Sequence, residues 1–192
     1  MPENTPKKGR GGGRANTTSQ NLTFDLSSKG PPRYTIYQWD DPQKILYRTW
    51  KDSSLRLVVE EALAAKKALN YANLVNSYLY GFTCPPTPND LNYVKFDYSN
   101  MAMARFTLTD FRGASFRGVN LRGAKFKGCK FSYADLEGAD ISGAIFGECV
   151  FEGANLKKVI AKKAKFYKCV FKNCLGEMDL GKMSHLQKTE QS

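Results

Sequence analysis

The sequence is poor in the residues from which catalytic and metal sites are usually built. It contains a single histidine, His185, among 192 residues, and its five cysteines include no CxxC pair. An odd number of cysteines at these spacings argues against a disulfide framework and a zinc site, and a reducing compartment is expected. Gly11–Gly13 precedes no predicted strand or helix, so it is not a phosphate-binding loop. We therefore expect no enzymatic activity, no metal and no cofactor.

The sequence also lacks a long apolar run and a secretory signal at its beginning, so no membrane span is predicted. This favours a location in the cytoplasm or within a viral particle. Acidic residues are fewer than basic ones: the sequence has 29 lysines and arginines and 18 aspartates and glutamates, which gives a net charge of +11. The excess lies in residues 1–33, with six basic and two acidic residues, and in 101–174, with fourteen and six. These two segments are the candidate electrostatic surfaces.

An apolar residue at every fifth place is the dominant pattern. Stepping by five from Leu91 to Phe171 gives seventeen positions, and all of them are apolar. A small residue stands two places before most of the large ones, and glycine recurs two places after them. A period of five fits neither an α-helix nor a β-strand. The pattern predicts a coiled backbone in which each five-residue unit forms one side of a turn, with glycine at the corners.

The segment Ala134-Asp135-Leu136-Glu137-Gly138, followed by another unit of the same form at 139–143, resembles the repeat of the pentapeptide-repeat family. The resemblance covers about residues 67–174. It implies a mainly β protein, a right-handed quadrilateral β-helix with four pentads per coil, in which residues twenty apart stack at about 4.8 Å. The predicted inward-facing core residues are Phe106, Phe111, Phe116, Leu121, Phe126, Phe131, Leu136, Ile141, Phe146, Phe151, Leu156, Phe166 and Phe171.

Four further segments surround or interrupt the repeats. Residues 1–33 are predicted to be a flexible basic arm rich in glycine, serine and proline. Residues 34–66 alternate and then become helical in pattern, which predicts a β-hairpin with a turn at 40–43 and a helix of about 55–66 that together cap the coil. Leu91 follows Cys84 by seven residues, so a proline-rich bulge is expected at about 85–90. Residues 175–192 are predicted to be a polar tail. The hairpin-helix segment is also similar to leaders that precede pentapeptide repeats in phage and prophage proteins.

Three of the cysteines, Cys129, Cys149 and Cys169, lie twenty residues apart and so fall in one column. We interpret them as small buried residues that replace alanine, although stacked coils would bring their Cα atoms close enough for a disulfide. Cys84 and Cys174 lie at the margins of the repeats and are expected to be more accessible.

The charges of the repeats form bands along the chain. Arg117, Glu137 and Lys157 should stack as a ladder of alternating sign, which accounts for some of them. The remaining basic residues are either an ordinary solvated surface or the contacts of an acidic partner. The candidate contacts to such a partner, or to phosphate groups, are Lys7, Lys8, Arg10, Arg14, Arg112, Arg117, Arg122, Lys127, Lys157, Lys158, Lys162 and Lys163.

These features favour a non-catalytic structural or interaction protein, a rigid scaffold whose basic arm anchors it to an acidic surface within a larger assembly, for which a phage or viral particle is one candidate. The alternative is a free nucleic-acid-binding protein that uses the arm and the basic bands. A second alternative is a regulator of a topoisomerase, because members of the family mimic DNA with an acidic rod, but the positive charge of 101–174 disfavours it. A protein partner is expected, and a homodimer remains open.

Overall fold

The computed structural model describes residues 34–50 and 53–176. It begins with an antiparallel hairpin of β1 (Tyr34–Tyr37) and β2 (Ile45–Thr49), followed by α1 (Leu55–Ala64). The predicted hairpin and helix are therefore confirmed. The helix starts where the Ser54 side chain accepts a hydrogen bond from the Leu57 N–H, a standard N-cap. It ends two residues earlier than predicted, because Lys66 has a φ of 54° and leaves the helical region.

The coil that follows has four sides and parallel pairing, as in a right-handed quadrilateral β-helix, which confirms the predicted fold. Its strands are β3 (Asn89–Asp90), β4 (Arg105–Thr107), β5 (Thr109–Asp110), β6 (Lys125–Lys127), β7 (Ile145–Gly147) and β8 (Lys165–Tyr167). β4, β6, β7 and β8 form one parallel sheet in which partners lie twenty residues apart, and β3 pairs with β5. We number the sides from this four-stranded sheet, so that side 1 carries Phe106 and Phe126, side 2 Phe111, side 3 Phe116 and side 4 Leu121.

Sides 2, 3 and 4 close with tight turns, whereas side 1 stays extended. On the turning sides the N–H three places after the inward residue donates to its carbonyl, as Ala134 N does to Phe131 O at 3.0 Å. The intervening corner residue has positive φ, for example 69° at Gly138, as a type II turn requires. Asp or Asn often precedes the inward residue on these sides, and its side chain accepts from the backbone two places on, as Asp140 does from Ser142 N at 3.0 Å. This arrangement favours a turn.

The core consists of stacked aromatic columns. On side 1 the Phe106, Phe126, Phe146 and Phe166 rings lie 4.8 to 5.2 Å apart and almost parallel, at 4° to 7°. Rings on adjoining sides meet edge to face, at 69° between Phe146 and Phe151, a favourable geometry for aromatic pairs. Of the thirteen inward residues named from the sequence, twelve are at most 4% exposed. The other is Phe171, which is half-buried in the last described coil and stacks on Phe151 at 4.8 Å.

Two additional residues enter the coil at the proline-rich segment. Pairing before it joins residues 22 apart, as between Thr83 and Arg105, and pairing after it joins residues twenty apart, as between Asn89 and Thr109. Large and small residues exchange places beside this insertion, so that the Phe82 ring packs 5.2 Å from Phe106 while Cys84 is 4% exposed. The expectation that Cys84 is accessible is therefore wrong. Burial raises the pKa of its thiol to about 11.

The hairpin and helix contact the free edge of the first coil. Trp39 N donates to Tyr71 O at 2.9 Å, and Asn73 N donates to Tyr37 O at 2.9 Å. Glu60 of α1 accepts a hydrogen bond from Thr83 N at 2.8 Å. Unpaired strand edges favour aggregation. These bonds pair backbone groups at the edge of the coil that would otherwise lack a hydrogen-bond partner. At the other end Asn155 pairs with Leu175, which places Leu175 in the coil.

Among residues 34–50 and 53–176, no helix has the length and apolar character needed to cross a membrane.

Candidate partner-binding surface

Most arginines of the coil are paired with the protein's own carboxylates. Arg112 contacts Asp110 at 2.9 Å, and Arg122 contacts Asp140 at 2.7 Å. Arg117 bridges to Asp135 at 3.1 Å and to Glu137 at 3.3 Å. These hydrogen bonds raise the pKa of Arg112 and Arg117 above the ordinary value. Because each of these cations already has an internal anion, the three arginines are weaker candidates for an external partner than the sequence indicated.

Asp140 shows how an ion pair and a turn share one carboxylate. Burial raises its pKa, but the hydrogen bonds at Ser142 and from Arg122 outweigh burial and leave the pKa below its ordinary value. Asp140 is thus ionised near neutral pH, and its contribution to stability is lost as the pH falls. Asp110, Asp135 and Glu137 likewise have a structural use in turns or ion pairs.

The predicted charge ladder on side 3 differs in one member. Glu137 pairs with Arg117 as expected, but its second partner is Lys158, whose Nζ lies 3.2 Å from Glu137 Oε1. Lys157 makes no ion pair with any residue in the described ranges. Lys158 stands at the corner of the coil with φ of 58°, and its long side chain reaches back to the preceding coil.

Side 1 carries basic residues without internal partners. We call Arg105, Lys125, Lys127 and Lys165 the side-1 strip. All four are exposed, and none forms an ion pair within the part of the chain that the structure describes. Arg105 and Lys125 are direct partners in the parallel sheet, where like charges destabilise the pairing. The strip therefore concentrates positive charge that the fold itself does not neutralise.

Sequence reasoning named only Lys127 from this strip. The other three were missed as contacts because the charges were read as bands along the chain rather than as columns twenty residues apart. The sequence does distinguish side 1 from the others. On the other sides the residue before the inward one is Asp or Asn at many positions, whereas on side 1 it is Arg105, Lys125, Ile145 or Lys165.

The last complete coil adds a ring of lysines. Between Gly153 and Gly176 the sequence contains seven lysines and no aspartate or glutamate. They lie on all four sides and all are exposed. We call this set the lysine ring: Lys157, Lys158, Lys162, Lys163, Lys165, Lys168 and Lys172. Lys158 is the member with an ion pair, and Lys165 belongs also to the side-1 strip.

The remaining predicted contacts fall into two groups, one in the lysine ring and one in the N-terminal arm. Lys162 and Lys163 lie in the lysine ring on side 4 and at its corner, close in sequence to the strip residue Lys165. Lys7, Lys8, Arg10 and Arg14 lie outside the described residues, so their role stays a prediction.

The cysteines form the predicted column and carry no disulfide. Cys129, Cys149 and Cys169 are each at most 2% exposed, and their thiols donate to backbone carbonyls, such as Cys169 to Phe146 O at 3.4 Å. Hydrogen bonding with the two neighbouring thiols and burial raise the pKa of Cys149 above its ordinary value. Cys174 is half-buried. In the described ranges no cluster of three or more histidine, cysteine or carboxylate side chains could hold a metal ion.

The repeat register on the structure agrees with a comparison of the sequence with known families. A model described as pentapeptide repeats matches in eight copies, over residues 90–128, 104–143 and 134–173. Residues 90–173 of the chain are pentapeptide repeats. No curated protein matches the sequence, so the likeness of the hairpin-helix segment to phage leaders stays a prediction.

Solved structures of other pentapeptide-repeat proteins are similar to this one. A protein from the thylakoid lumen of Arabidopsis thaliana is 23% identical over 57% of this chain and 70% of its own, with a TM-score of 0.34. A protein from Nostoc PCC 7120 is 23% identical over 67% of this chain and 91% of its own, with a TM-score of 0.31. HetL, involved in heterocyst differentiation regulation in the same strain, is 23% identical over 54% and 52%, with a TM-score of 0.23.

Proposed function

We propose that this pentapeptide-repeat protein is a non-catalytic scaffold that holds an acidic macromolecule against its basic coil. The observation that carries the proposal is the side-1 strip, in which four exposed cations on β4, β6 and β8 of one sheet have no ion pair within the described residues. The lysine ring extends the same charge around the end of the coil. Arg105 and Lys125 face each other directly, and like charges placed so destabilise a sheet, so an external anion is the simplest reason to keep them there.

The distribution of charge supports an external partner better than a solvated surface alone. The coil 131–150 contains four acidic residues and no lysine or arginine. Three of them, Asp135, Glu137 and Asp140, pair with cations on sides 3 and 4, and the fourth, Glu148, lies at the corner after side 1 and makes no ion pair within the described residues. At the corresponding level of side 1 stand Ile145 and Gly147, which cannot neutralise a cation. An acidic surface or polymer on side 1 would supply the missing charge.

Binding of model polyanions tests the proposal. A fluorescent DNA duplex and a labelled polyglutamate of equal charge would be titrated with the full chain at low and moderate salt. We expect the variant Lys125→Gln, Lys127→Gln, Lys165→Gln to bind at least about tenfold more weakly than wild type, with a smaller dependence on salt. The matched control Arg112→Gln, Arg117→Gln, Arg122→Gln removes the same charge from paired positions and should lose less.

Equal losses in the two triple variants would show that only net charge matters and would overturn the assignment to side 1. Failure of the wild type to bind either polyanion at low salt would overturn the proposal itself. A third variant, Lys7→Gln, Lys8→Gln, Arg10→Gln, Arg14→Gln, measures the predicted contribution of the arm, and a further loss of affinity would support it.

Membership in a larger assembly, with a viral particle as one candidate, is part of the same proposal and follows from the sequence pattern of the arm and leader. The topoisomerase alternative depends on mimicry of DNA phosphates, and an exposed positive strip has the opposite sign. A supercoiling assay with the pure protein tests this alternative.

A further inference from the structure

A shallow groove crosses the strands of side 1. Two rows of side chains border it: Arg105, Lys125, Ile145 and Lys165 precede the inward phenylalanines, and Thr107, Lys127, Gly147 and Tyr167 follow them. The groove itself is lined by the residues of both rows in β4, β6 and β7, by Phe106 and Phe126, and by Glu148 at the corner. Lys165 and Tyr167 of β8 continue the two rows beyond its end. Gly147 has no side chain, so the second row has a gap where it crosses β7.

We propose that this groove binds a single strand of nucleic acid, with the phosphodiester backbone running along the rows from β4 to β8. The inference rests on the proposed function and names the chemical class of its acidic partner. Three strand spacings separate Arg105 from Lys165, roughly 14 Å, so the strip meets a few successive nucleotides. Lysine and arginine in such a row contact phosphates without reading sequence.

The width of the strip favours one strand over a duplex. The two rows are two residues apart along each strand, a separation of roughly 6.6 Å. This separation is about the width of the DNA minor groove and far less than the diameter of a duplex. A duplex resting on this surface would touch the strip with one backbone and leave the other beyond the sheet. A single strand can place its phosphates on both rows.

An aromatic side chain beside the cations favours nucleic acid over an acidic protein. Tyr167 is 39% exposed and lies in the second row, in line with Lys127 and in the same strand as Lys165. Base stacking on aromatic rings next to basic residues is the usual mode of sequence-independent single-strand binding. Ile145, half-buried in the first row, adds apolar surface for the same purpose. Carboxylates of a protein partner would not stack on the Tyr167 ring or gain from the apolar surface of Ile145.

Glu148 works against the proposed ligand and gives a test with the opposite sign. Its carboxylate borders the groove at the level of Gly147, where it repels a phosphate. Glu148→Gln should therefore strengthen binding of a single strand, whereas Tyr167→Ala should weaken it about fivefold or more. The control Tyr133→Ala removes a tyrosine that is 70% exposed at a corner away from the strip, and we expect no change.

The experiment titrates labelled oligo(dT) of twenty nucleotides, a duplex and polyglutamate with the full chain. We expect the tightest binding for oligo(dT), and the four strip cations should contribute about −2.8 to the slope of log K against log salt if each meets one phosphate. Each strip residue changed to glutamine should reduce the slope by about 0.7. Tyr167→Ala should weaken oligo(dT) alone.

If polyglutamate or duplex binds as tightly as oligo(dT), and Tyr167→Ala changes neither, the single-strand assignment is wrong while the acidic-partner proposal stands. If no polyanion binds, both fail. If Tyr133→Ala weakens oligo(dT) as much as Tyr167→Ala does, the ligand does not lie on side 1.

Discussion

The ring of Tyr133 lies against Gly153 of the next coil, where a Cβ atom built on the glycine would lie 2.7 Å from both Cδ1 and Cε1 of the tyrosine. Both residues turn the same corner in the left-handed region, with φ of 59° and 65°. Tyr98 has the same relationship with Gly118, twenty residues on. A bulky side chain fits at this corner because the residue at the same corner of the next coil is glycine, which has no Cβ atom.

We predict that Gly153→Ala destabilises the coil more than Gly138→Ala. Gly138 has a similar φ of 69°, but a Cβ there would meet nothing within 4 Å. Gly138→Ala therefore measures the left-handed strain alone, about 1 kcal/mol, whereas Gly153→Ala must also displace the Tyr133 ring. Denaturant unfolding followed by circular dichroism measures both changes.

The double variant Gly153→Ala, Tyr133→Ala supplies the control for this prediction. Removing the exposed ring should bring the cost of Gly153→Ala back to that of Gly138→Ala, because the clash is gone and only strain remains. Equal costs of the two single variants would show that the ring moves aside freely.

The aromatic columns predict a graded sensitivity to truncation. Phe131 is fully buried, and its ring stacks on Phe111 and Phe151 at 5.1 and 4.9 Å. Phe131→Ala should cost about 3–5 kcal/mol, since it removes apolar contacts and leaves a cavity. Phe171→Ala, at the half-buried end of the same column, should cost clearly less. Thermal unfolding of the two variants measures the difference, and equal losses would contradict the gradient of burial.

Thiol reactivity should distinguish one cysteine from four. At pH 8 we expect one fast reaction of the native protein with a disulfide reagent, at half-buried Cys174, and four that require unfolding. Burial raises the pKa of Cys174, so this reaction should still be slower than that of an unfolded thiol. Cys174→Ser should abolish the fast phase. Raising the pH to 9 should not add Cys84, because its pKa of about 11 leaves only about one molecule in a hundred ionised. A second fast thiol in Cys174→Ser would refute this distribution.

The raised pKa of Cys84 also fixes the sign of a pH effect on stability. The thiol holds its proton more tightly when folded than when unfolded, where its pKa is 9.0. Its contribution is therefore complete below about pH 9 and is lost as the pH rises towards 11. The free energy of unfolding of the wild type, relative to Cys84→Ala, should fall over this interval and stay constant from pH 6 to 8.

The sequence predicts the interior of this coil far better than its surface. Inward positions follow from a period of five, and the four pentads per coil that the family resemblance implies then stack Phe126 on Phe106. The extended side of the coil carries the side-1 strip, whose basic residues lack carboxylate partners within the described residues, and the sequence does not directly indicate which side stays extended. On sides 3 and 4 the turns are supported by Asp and Asn side chains, such as Asp135 and Asp140, and this difference between the sides is recognised only when positions twenty residues apart are compared.

The region around the proline-rich insertion was less predictable. Cys84 occupies an inward place, as its spacing predicted, but the large side chain that fills the space over Phe106 is Phe82. Two additional residues change the pairing interval there from 20 to 22. Spacing alone places Phe82 at a small-residue position, so the exchange of a large and a small side chain follows from volume rather than from period.

The contact between α1 and the first coil gives a final prediction about the open edge. Glu60 Oε1 accepts hydrogen bonds from Thr83 N at 2.8 Å and from Arg56 at 2.9 Å. Glu60→Ala should cost about 1–3 kcal/mol, since it leaves a backbone donor of the coil without its carboxylate partner. Arg56→Ala breaks the partly buried ion pair but keeps the bond to Thr83, and should cost less than Glu60→Ala.

Hydrogen exchange of the Thr83 amide separates this explanation from a general loss of helix stability. Glu60→Ala should accelerate exchange at Thr83 far more than Arg56→Ala does, because only the first variant removes the acceptor. Similar acceleration in both variants would mean that the ion pair, rather than the carboxylate itself, holds the helix against the coil. The edge would then depend on the position of Arg56, and the smaller cost expected for its removal would be wrong.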